Sequence, residues 1–294
     1  MRDSIKAILI LISMLIWGLS YPLVKLLLNY GIPPITLATL RHIVFIPMLI
    51  IVILRKSYKN YSKEDLKLFL TLAFFTIFLP NISQNIGMLY TTASISSVIQ
   101  STSPVFTIIL AFIFLKETKT INKIIGSLIA LTGTILLSTR GSLSFDLNTF
   151  GNTLILVSSI SYAISGIILK KGLSKIPAFD LLCFETTFGF FMLFASNIFL
   201  EDMSMIFSFS MDVWIYILLL SILASFIAAI LYYMILYEEE LSYLIIFTYL
   251  IPVFAIIFSY FMLGEILSAR DIVFASIVLI GVTVAQLKSK TFGK

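Results

Sequence analysis

Long apolar stretches, separated by short polar connections, follow one another along the whole chain. A helix that crosses about 30 Å of hydrocarbon needs about 20 apolar residues. Ten stretches meet this length, at approximately 5–28, 33–54, 67–89, 94–115, 121–139, 151–170, 178–200, 213–235, 241–263 and 269–287. The pattern therefore predicts an all-α polytopic membrane protein with ten transmembrane helices, and no connection is long enough to form a soluble domain.

Basic residues are distributed unevenly between alternate connections. When the N-terminus is placed in the cytoplasm, most of the 20 lysines and arginines fall on the cytoplasmic side. The positive-inside rule then predicts a multi-pass plasma-membrane protein with both termini cytoplasmic, and 288–294 as a basic cytoplasmic tail. One connection on that side, Glu238-Glu239-Glu240, is acidic and has no base beside it in the sequence.

The chain contains an internal duplication. Three pairs of residues recur at a spacing of 148 (252 − 104, 265 − 117 and 281 − 133): Pro104 and Pro252, Glu117 and Glu265, Gly133 and Gly281. Such a period sets the fold, and it predicts one five-helix repeat over 1–140 and another over 150–287. Because five is odd, the second repeat must enter the membrane from the opposite side. Inverted repeats of this kind are typical of transporters.

Composition agrees with the membrane class and excludes others. Hydrophobic residues make up 60% of the chain and charged residues only 12%, whereas a soluble domain has about 25% charged residues. The single cysteine, Cys183, excludes an intramolecular disulfide and a CxxC site. The net charge of +5 lies in the cytoplasmic anchors and does not indicate nucleic-acid binding. No HExxH, GxSxG or P-loop motif is present, so we expect no enzyme, ATP-driven pump, metal or cofactor.

Several motifs recur in order along both halves: Trp17-Gly18 with Lys25, Leu40-Arg41, Pro104 to Glu117, Gly126 to Gly133, Pro252 to Glu265, and Gly281. Together they resemble the EamA family of the drug/metabolite transporter superfamily over essentially the whole chain. The resemblance implies a secondary transporter of ten helices in two inverted repeats, which commonly exports amino acids or other small metabolites. The second half carries Tyr162-Ala163 where a Trp-Gly-like pair is usual, so we do not expect exact two-fold symmetry there.

Polar and aromatic residues inside the predicted spans mark candidates for a substrate path, because polar groups in a bilayer normally face the bundle interior. Amides and hydroxyls of the first half correspond, at the 148 spacing, mostly to tyrosines of the second. The predicted substrate-binding set is Trp17, Tyr21, Asn81, Gln84, Asn85, Gln100, Ser101, Tyr162, Tyr232, Tyr233, Thr248 and Tyr249. Such a cavity suits a small amphipathic solute or an organic cation. Alternatively, the hydroxyls bond helix to helix and the tyrosines belong to interfacial belts.

Arg41 and Glu185 are charged residues that lie well inside predicted spans, away from the span ends. Arg41 and Glu185 each follow a proline by eight residues (41 − 33 and 185 − 177), so from opposite faces they come within about 6 Å of each other in depth. They either form an ion pair or line the cavity separately. Glu185 is the candidate proton carrier, and Arg41 supplies fixed positive charge.

Prolines and glutamates of the repeated motifs have predicted structural roles. Pro104 and Pro252 are predicted hinges in the fourth and ninth helices, because a proline disrupts the helical hydrogen bonds. Glu117 and Glu265 are expected to stabilise the N-terminus of the helix that follows each of them.

The sequence as a whole predicts a secondary transporter that moves an amino acid, amine or related solute by alternating access. Export is the first expectation. An importer or facilitator of the same fold, a membrane sensor and a channel are the alternatives. The expected partners are the lipid bilayer, a small-molecule substrate, and H⁺ or a counter-substrate; the oligomeric state and the substrate stay open.

Overall fold

The computed structural model describes residues 3–56, 61–114, 121–138, 147–239, 241, 244 and 247–286. Within these residues the regular structure is helical and contains no strand, and helices occupy each of the ten apolar stretches. Six helical segments of the described chain are long and apolar enough to cross a membrane: Ile5–Asn29, Pro34–Arg55, Lys63–Leu89, Leu147–Leu173, Ala178–Leu200 and Met211–Glu238. The predicted all-α, multi-pass membrane class is confirmed.

Local breaks divide the helices of the first half. These helices are α1 (Asp3–Asn29), α2 (Pro34–Leu40), α3 (Phe45–Arg55), α4 (Lys63–Ala73), α5 (Leu79–Leu89), α6 (Ala93–Gln100), α7 (Ser103–Phe114) and α8 (Ile121–Ser138). Turns at 41–44 and 101–102 separate α2 from α3 and α6 from α7. A π-helical segment, Phe74–Phe78, joins α4 to α5.

The second half repeats two of these breaks. Its helices are α9 (Leu147–Leu173), α10 (Ala178–Leu200), α11 (Met211–Leu219), α12 (Ala228–Glu238), α13 (Leu250–Leu263) and α14 (Ala269–Gln286), with a 3₁₀ turn at Met203–Ser208. A second π-helical segment, Leu220–Ile227, joins α11 to α12, and position 74 plus 148 falls inside it. The turn at 248–249 likewise contains position 101 plus 148.

One end of the helix bundle, here named the Lys6 end, is held by basic side chains on acidic and carbonyl groups. Lys6 Nζ lies 3.0 Å from Glu238 Oε2 and 2.5 Å from Glu239 Oε1. Lys170 Nζ donates to the carbonyls of Leu236 and Glu239 at 2.7 Å each. The acidic connection therefore has two bases beside it, although the sequence neighbours offer none.

The opposite end, here named the Glu265 end, is held by carboxylates on helix N-termini. The Glu265 carboxylate accepts hydrogen bonds from the backbone N–H groups of Ala93 and Ser94, each at 2.9 Å. Glu201 accepts from the first two N–H groups of α2 past Pro34, at 2.9 and 2.7 Å. Both carboxylates belong to the second half and both helices to the first, so these bonds join the halves.

Glu265 stabilises a helix N-terminus, as predicted, but the helix is α6 and not α14. We expected it to serve the following helix, α14, but Ser268 and Asp271 cap that helix themselves. Ser268 Oγ accepts from the Asp271 N–H at 3.2 Å, and the Asp271 carboxylate accepts from Ser268. Glu265 is thus left to reach the N-terminus of α6. Its counterpart Glu117 lies outside the described residues.

Two equivalent lysines satisfy equivalent carbonyls. Lys25 Nζ donates to the Met88 carbonyl at 2.5 Å, and Lys170 Nζ donates to the Leu236 carbonyl at 2.7 Å. Met88 and Leu236 are 148 positions apart and lie in the last turns of α5 and α12, where carbonyls lack helical partners.

Close helix packing explains the repeated glycines. A β-carbon added to Gly281 would overlap the Ala130 backbone, and one added to Gly133 would lie 2.7 Å from the Val278 nitrogen. Both positions lie where α8 and α14 pack together, so only glycine permits this approach.

Candidate functional site

A cavity of about 250 Å³ lies between the two halves, and both halves contribute to its lining. Most of the predicted site residues line it: Trp17, Tyr21, Arg41, Asn81, Gln84, Gln100, Ser101, Pro104, Tyr162, Glu185, Tyr232, Tyr233, Thr248 and Pro252. Residues far apart in the sequence are therefore brought together at one place in the bundle.

Two predicted residues, Asn85 and Tyr249, do not line the cavity. Adjacent residues of a helix point about 100° apart, so Asn85 turns away when Gln84 faces the cavity. Asn85 is fully buried against α2, where its Nδ2 donates to the Pro34 carbonyl at 3.0 Å. Tyr249 follows Thr248 in the turn before α13 and packs against the apolar cluster that contains Leu27.

The π-helical segments connect the halves next to the cavity. A π turn changes the backbone hydrogen-bond pattern from i−4 to i−5, which makes a carbonyl available to a side chain. In the second segment, the Ala224 carbonyl accepts from Trp17 Nε1 at 3.1 Å. In the first segment, the Phe75 carbonyl accepts from Ser161 Oγ at 2.8 Å. The first helix of each half thus bonds to the third span of the other.

Several aromatic rings line the cavity. The rings of Trp17 and Tyr232 are 5.3 Å apart between centroids and are tilted by 58°. Tyr21 and Tyr162 line the same cavity. Because the Trp17 N–H is bonded to a backbone carbonyl, this residue offers its ring rather than its donor to a solute.

Hydroxyls along the cavity mostly bond to their own helices. Ser97, Ser101 and Ser165 donate to carbonyls three residues earlier, at 2.7, 2.6 and 2.9 Å. This pattern is common for serine in membrane helices, and it differs from the helix-to-helix bonding that was the alternative interpretation. These hydroxyls therefore have little capacity left to donate to a solute.

Other residues of the cavity lining have polar groups without a hydrogen-bond partner among the described residues. Neither amide atom of Gln100 has a hydrogen-bond partner among the described residues, and the hydroxyls of Thr76 and Ser225 are also unpaired there. Thr76 and Ser225 were missed by the sequence interpretation. Both are polar residues inside the π-helical segments, so a hydroxyl within an otherwise apolar run is the signal that marks them.

Arg41 and Glu185 line the cavity separately. Among the described ion pairs and hydrogen bonds, none joins the two residues. Glu185 Oε1 accepts from the Tyr233 hydroxyl at 2.5 Å, and its Oε2 has no partner within the described residues. Of the two arrangements left open by the sequence, the structure contains the unpaired one. His42, beside Arg41, also lines the cavity, and its Nδ1 lies 2.8 Å from the Ala38 carbonyl.

Both predicted hinge prolines follow a helix break at the cavity. Pro104 comes two residues after the turn at 101–102, and Pro252 comes three residues after the turn at 248–249. Both prolines line the cavity. The breaks therefore lie at the places where a bend of the fourth or ninth span would change the cavity shape.

A bundle of apolar helices around an internal polar and aromatic cavity is typical of a multi-pass membrane protein. The model of the EamA-like transporter family matches the chain twice, over residues 4–139 and 149–286. The chain belongs to the EamA-like transporter family, and the family resemblance of the motifs is confirmed. Membership in a family of membrane transporters agrees with the expectation that the protein is not an enzyme.

Similar proteins extend over almost the full chain. An uncharacterized transporter of Archaeoglobus fulgidus is 28% identical over 96% of this chain and 99% of its own length. The uncharacterized transporter YvbV of Bacillus subtilis is 26% identical over 97% of this chain and 92% of its own. A solved crystal structure superposes with a TM-score of 0.68 and 14% identity, covering 97% of each chain, and at this identity it shows the fold alone.

Proposed function

We propose that the protein is a secondary transporter that moves a small solute across the plasma membrane by alternating access. In this proposal, ten membrane-spanning helices form two inverted repeats, and both termini are cytoplasmic. An amino acid, amine or related metabolite is the solute, and export is the favoured direction. The observation that carries the proposal is a cavity that both halves line.

Equivalent contacts at opposite ends support the inverted arrangement. Lys25 bonds at the Glu265 end, next to the start of α6, whereas Lys170 bonds beside Glu239 at the Lys6 end. A parallel repeat would put both contacts at one end. Inverted halves can exchange conformations about a site at the midplane, which is the usual basis of alternating access.

The shape of the cavity supports a carrier rather than an open channel. Its lining includes Leu241, which follows the acidic connection of the Lys6 end. None of the described residues in the connections of the Glu265 end contributes to the lining. Glu265 and Glu201 join the halves at that end. The arrangement favours a state that is accessible from the Lys6 end, which is cytoplasmic in the proposed orientation.

Chemistry within the cavity suits a solute with both apolar and polar parts. The rings of Trp17 and Tyr232 offer apolar faces, and the Gln100 amide offers one donor and one acceptor site. Glu185, with one oxygen unpaired, is the proposed carrier of a coupled proton. A counter-substrate in place of the proton is the other form of coupling that the proposal allows.

Counterflow in proteoliposomes tests the proposal. Purified protein is reconstituted with unlabelled amino acids and amines inside, and saturable uptake of the labelled solute against its gradient is expected. A channel would conduct without saturation or counterflow, and a sensor would bind solute without flux; either result would refute secondary transport. Protein-free liposomes and a Pro104→Ala, Pro252→Ala double variant separate leak and hinge-dependent flux from the expected signal.

A further inference from the structure

Arg41 carries a permanent positive charge and has no ion-pair partner among the described residues. Only 8% of this residue is exposed, and its Nε has no hydrogen-bond partner among the described residues. A guanidinium inside a membrane protein is costly unless it is paired, so this residue needs a compensating anion.

Contacts within the described protein offset little of the desolvation cost of Arg41. Arg41 follows the last residue of α2, where the helix dipole favours a cation, but the dipole of a seven-residue helix is weak beside the desolvation of a full charge. Glu185 lines the same cavity but accepts the Tyr233 hydroxyl. The other titratable lining side chains of the described chain are neutral tyrosines and His42.

The cavity gives an anion access to Arg41. The side chain lines the cavity together with the amides of Gln84 and Gln100. A guanidinium presents two parallel N–H donors that match the oxygens of a carboxylate or phosphate. The two amides can donate to further oxygens of a solute in the same cavity.

We propose that Arg41 binds the anionic group of the solute, through its carboxylate or phosphate oxygens. The inference rests on the proposed function in one respect, since it takes the cavity to be the solute site. It predicts that solutes with an oxyanion bind better than matched uncharged solutes. It also predicts that the empty protein is strained by the charge that the solute would neutralise.

The first test measures the thermal stability of the empty protein in low-salt detergent solution. Arg41→Gln is expected to unfold at a higher temperature than the wild type, because it removes an unbalanced buried charge. Arg270→Gln is the matched control, since Arg270 is half exposed and is not among the residues that line the cavity, and we expect it to leave the unfolding temperature unchanged. A clear decrease for Arg41→Gln alone would show that Arg41 is already paired and would overturn the proposal.

The second test measures ligand-induced stabilisation with succinate, phenylacetate and inorganic phosphate, against succinamide and phenylacetamide. Ligands that bind the folded state raise its unfolding temperature. The wild type is expected to respond to one or more anions and not to the amides. Arg41→Gln should lose the response, and Arg41→Lys should retain part of it. Responses to the carboxylates and to phosphate identify which oxyanion the site prefers.

Three outcomes of the second test would overturn the inference that Arg41 binds an anion. Equal responses to the amides, an undiminished response of Arg41→Gln, or no response of the wild type to any anion would each do so. Neither test requires a measurement of solute flux. Anion binding at Arg41 without counterflow would therefore refute transport alone, and counterflow with no role for the anion would refute this inference alone.

Discussion

Lys25 and Lys170 make the same contact in the two halves, whereas Arg41 and Glu185, each eight residues beyond a proline, carry opposite charges. Each lysine donates to a carbonyl near the end of its own third span. The two charged residues instead face the cavity. The repeat is therefore kept where the backbone needs a partner and lost where a solute would be bound.

A physical reason underlies this difference. In hydrocarbon, every backbone polar group must find a partner within the protein, so a contact that satisfies a helix end is needed in both halves. Cavity side chains need no partner from the fold if the bound solute supplies one. The four predictions below test that division, since changes at repeated contacts should alter stability and changes in the cavity should alter solute binding.

The largest loss of stability is expected for the repeated glycines. Gly281→Ala places a methyl group against the Ala130 backbone, and overpacking of this kind costs about 1–3 kcal/mol. Gly133→Ala should cost a similar amount, because its β-carbon would meet the Val278 backbone. Thermal unfolding of the purified variants measures both.

Gly166→Ala is the control for those two variants. A β-carbon at Gly166 has nothing within 4 Å, so alanine should raise helix stability by about 0.5–1 kcal/mol. Equal losses at Gly166 and Gly281 would mean that close packing of α8 and α14 is not what requires glycine.

A smaller loss is expected when the carboxylate at the Glu265 end is neutralised. Glu265→Gln keeps the side-chain size but weakens the bonds to the N–H groups of α6, at a cost of about 1–2 kcal/mol. The same change should make the cavity more accessible from the Glu265 end. Labelling of a cysteine placed at Gln84, in a Cys183→Ala background, measures that access from each side of the membrane.

Asp202→Asn is the control for Glu265→Gln. Asp202 lies at the same end of the bundle, but among the described residues its carboxylate accepts only from Ser204, two residues later. We expect no change in access for this variant. If Asp202→Asn opens the cavity as much as Glu265→Gln does, the contact between the halves is not what closes this end.

Local features of the sequence account for the parts of the fold that could be predicted. Apolar length and turn residues identify the helices, and the 148 spacing identifies the duplication. Long-range contacts have no such signal: Glu265 reaches Ser94, 171 residues away, although α14 follows it directly. Lys6 likewise balances Glu238 and Glu239 from the other end of the chain.

The sequence predicted which kinds of residue line the site better than which of two adjacent residues faces it. Most of the polar and aromatic residues that were predicted from apolar runs do line the cavity, because such residues seldom face lipid. Which of two adjacent residues faces the cavity depends on helix rotation, and this separates Gln84 from Asn85. The π-helical segments change that rotation through their backbone hydrogen bonds. Thr76 lies in one of them, and its hydroxyl within an apolar run was the signal that the sequence interpretation did not use.

A still smaller loss is expected for the paired lysines. Lys25→Met and Lys170→Met each leave carbonyls unsatisfied, at about 1 kcal/mol per lost hydrogen bond. Lys170→Met should cost more, because Lys170 donates to two carbonyls and Lys25 to one. Exposed Lys63→Met is the control, and thermal unfolding is the measurement. A greater loss at Lys25 than at Lys170 would contradict the equivalence of the two contacts.

The smallest effect on stability, with the clearest effect on binding, is expected at Gln100. Both amide atoms are buried and unpaired among the described residues, so Gln100→Leu removes unsatisfied polar groups and should leave stability unchanged or slightly higher. Affinity for the transported solute should nevertheless fall, since a hydrogen bond to the solute is lost. Ser101→Ala is the comparison, because its hydroxyl already donates to the Val98 carbonyl at 2.6 Å.

Solute titrations of both variants separate the two roles. We expect weaker binding for Gln100→Leu, at a cost of about 0.5–1.5 kcal/mol, and nearly wild-type binding for Ser101→Ala. The reverse order would show that the unpaired amide does not contact the solute. Loss of stability in Gln100→Leu would show that this amide has a structural partner. Gln100 would then contradict the division between repeated contacts, which stabilise the fold, and cavity groups, which bind the solute.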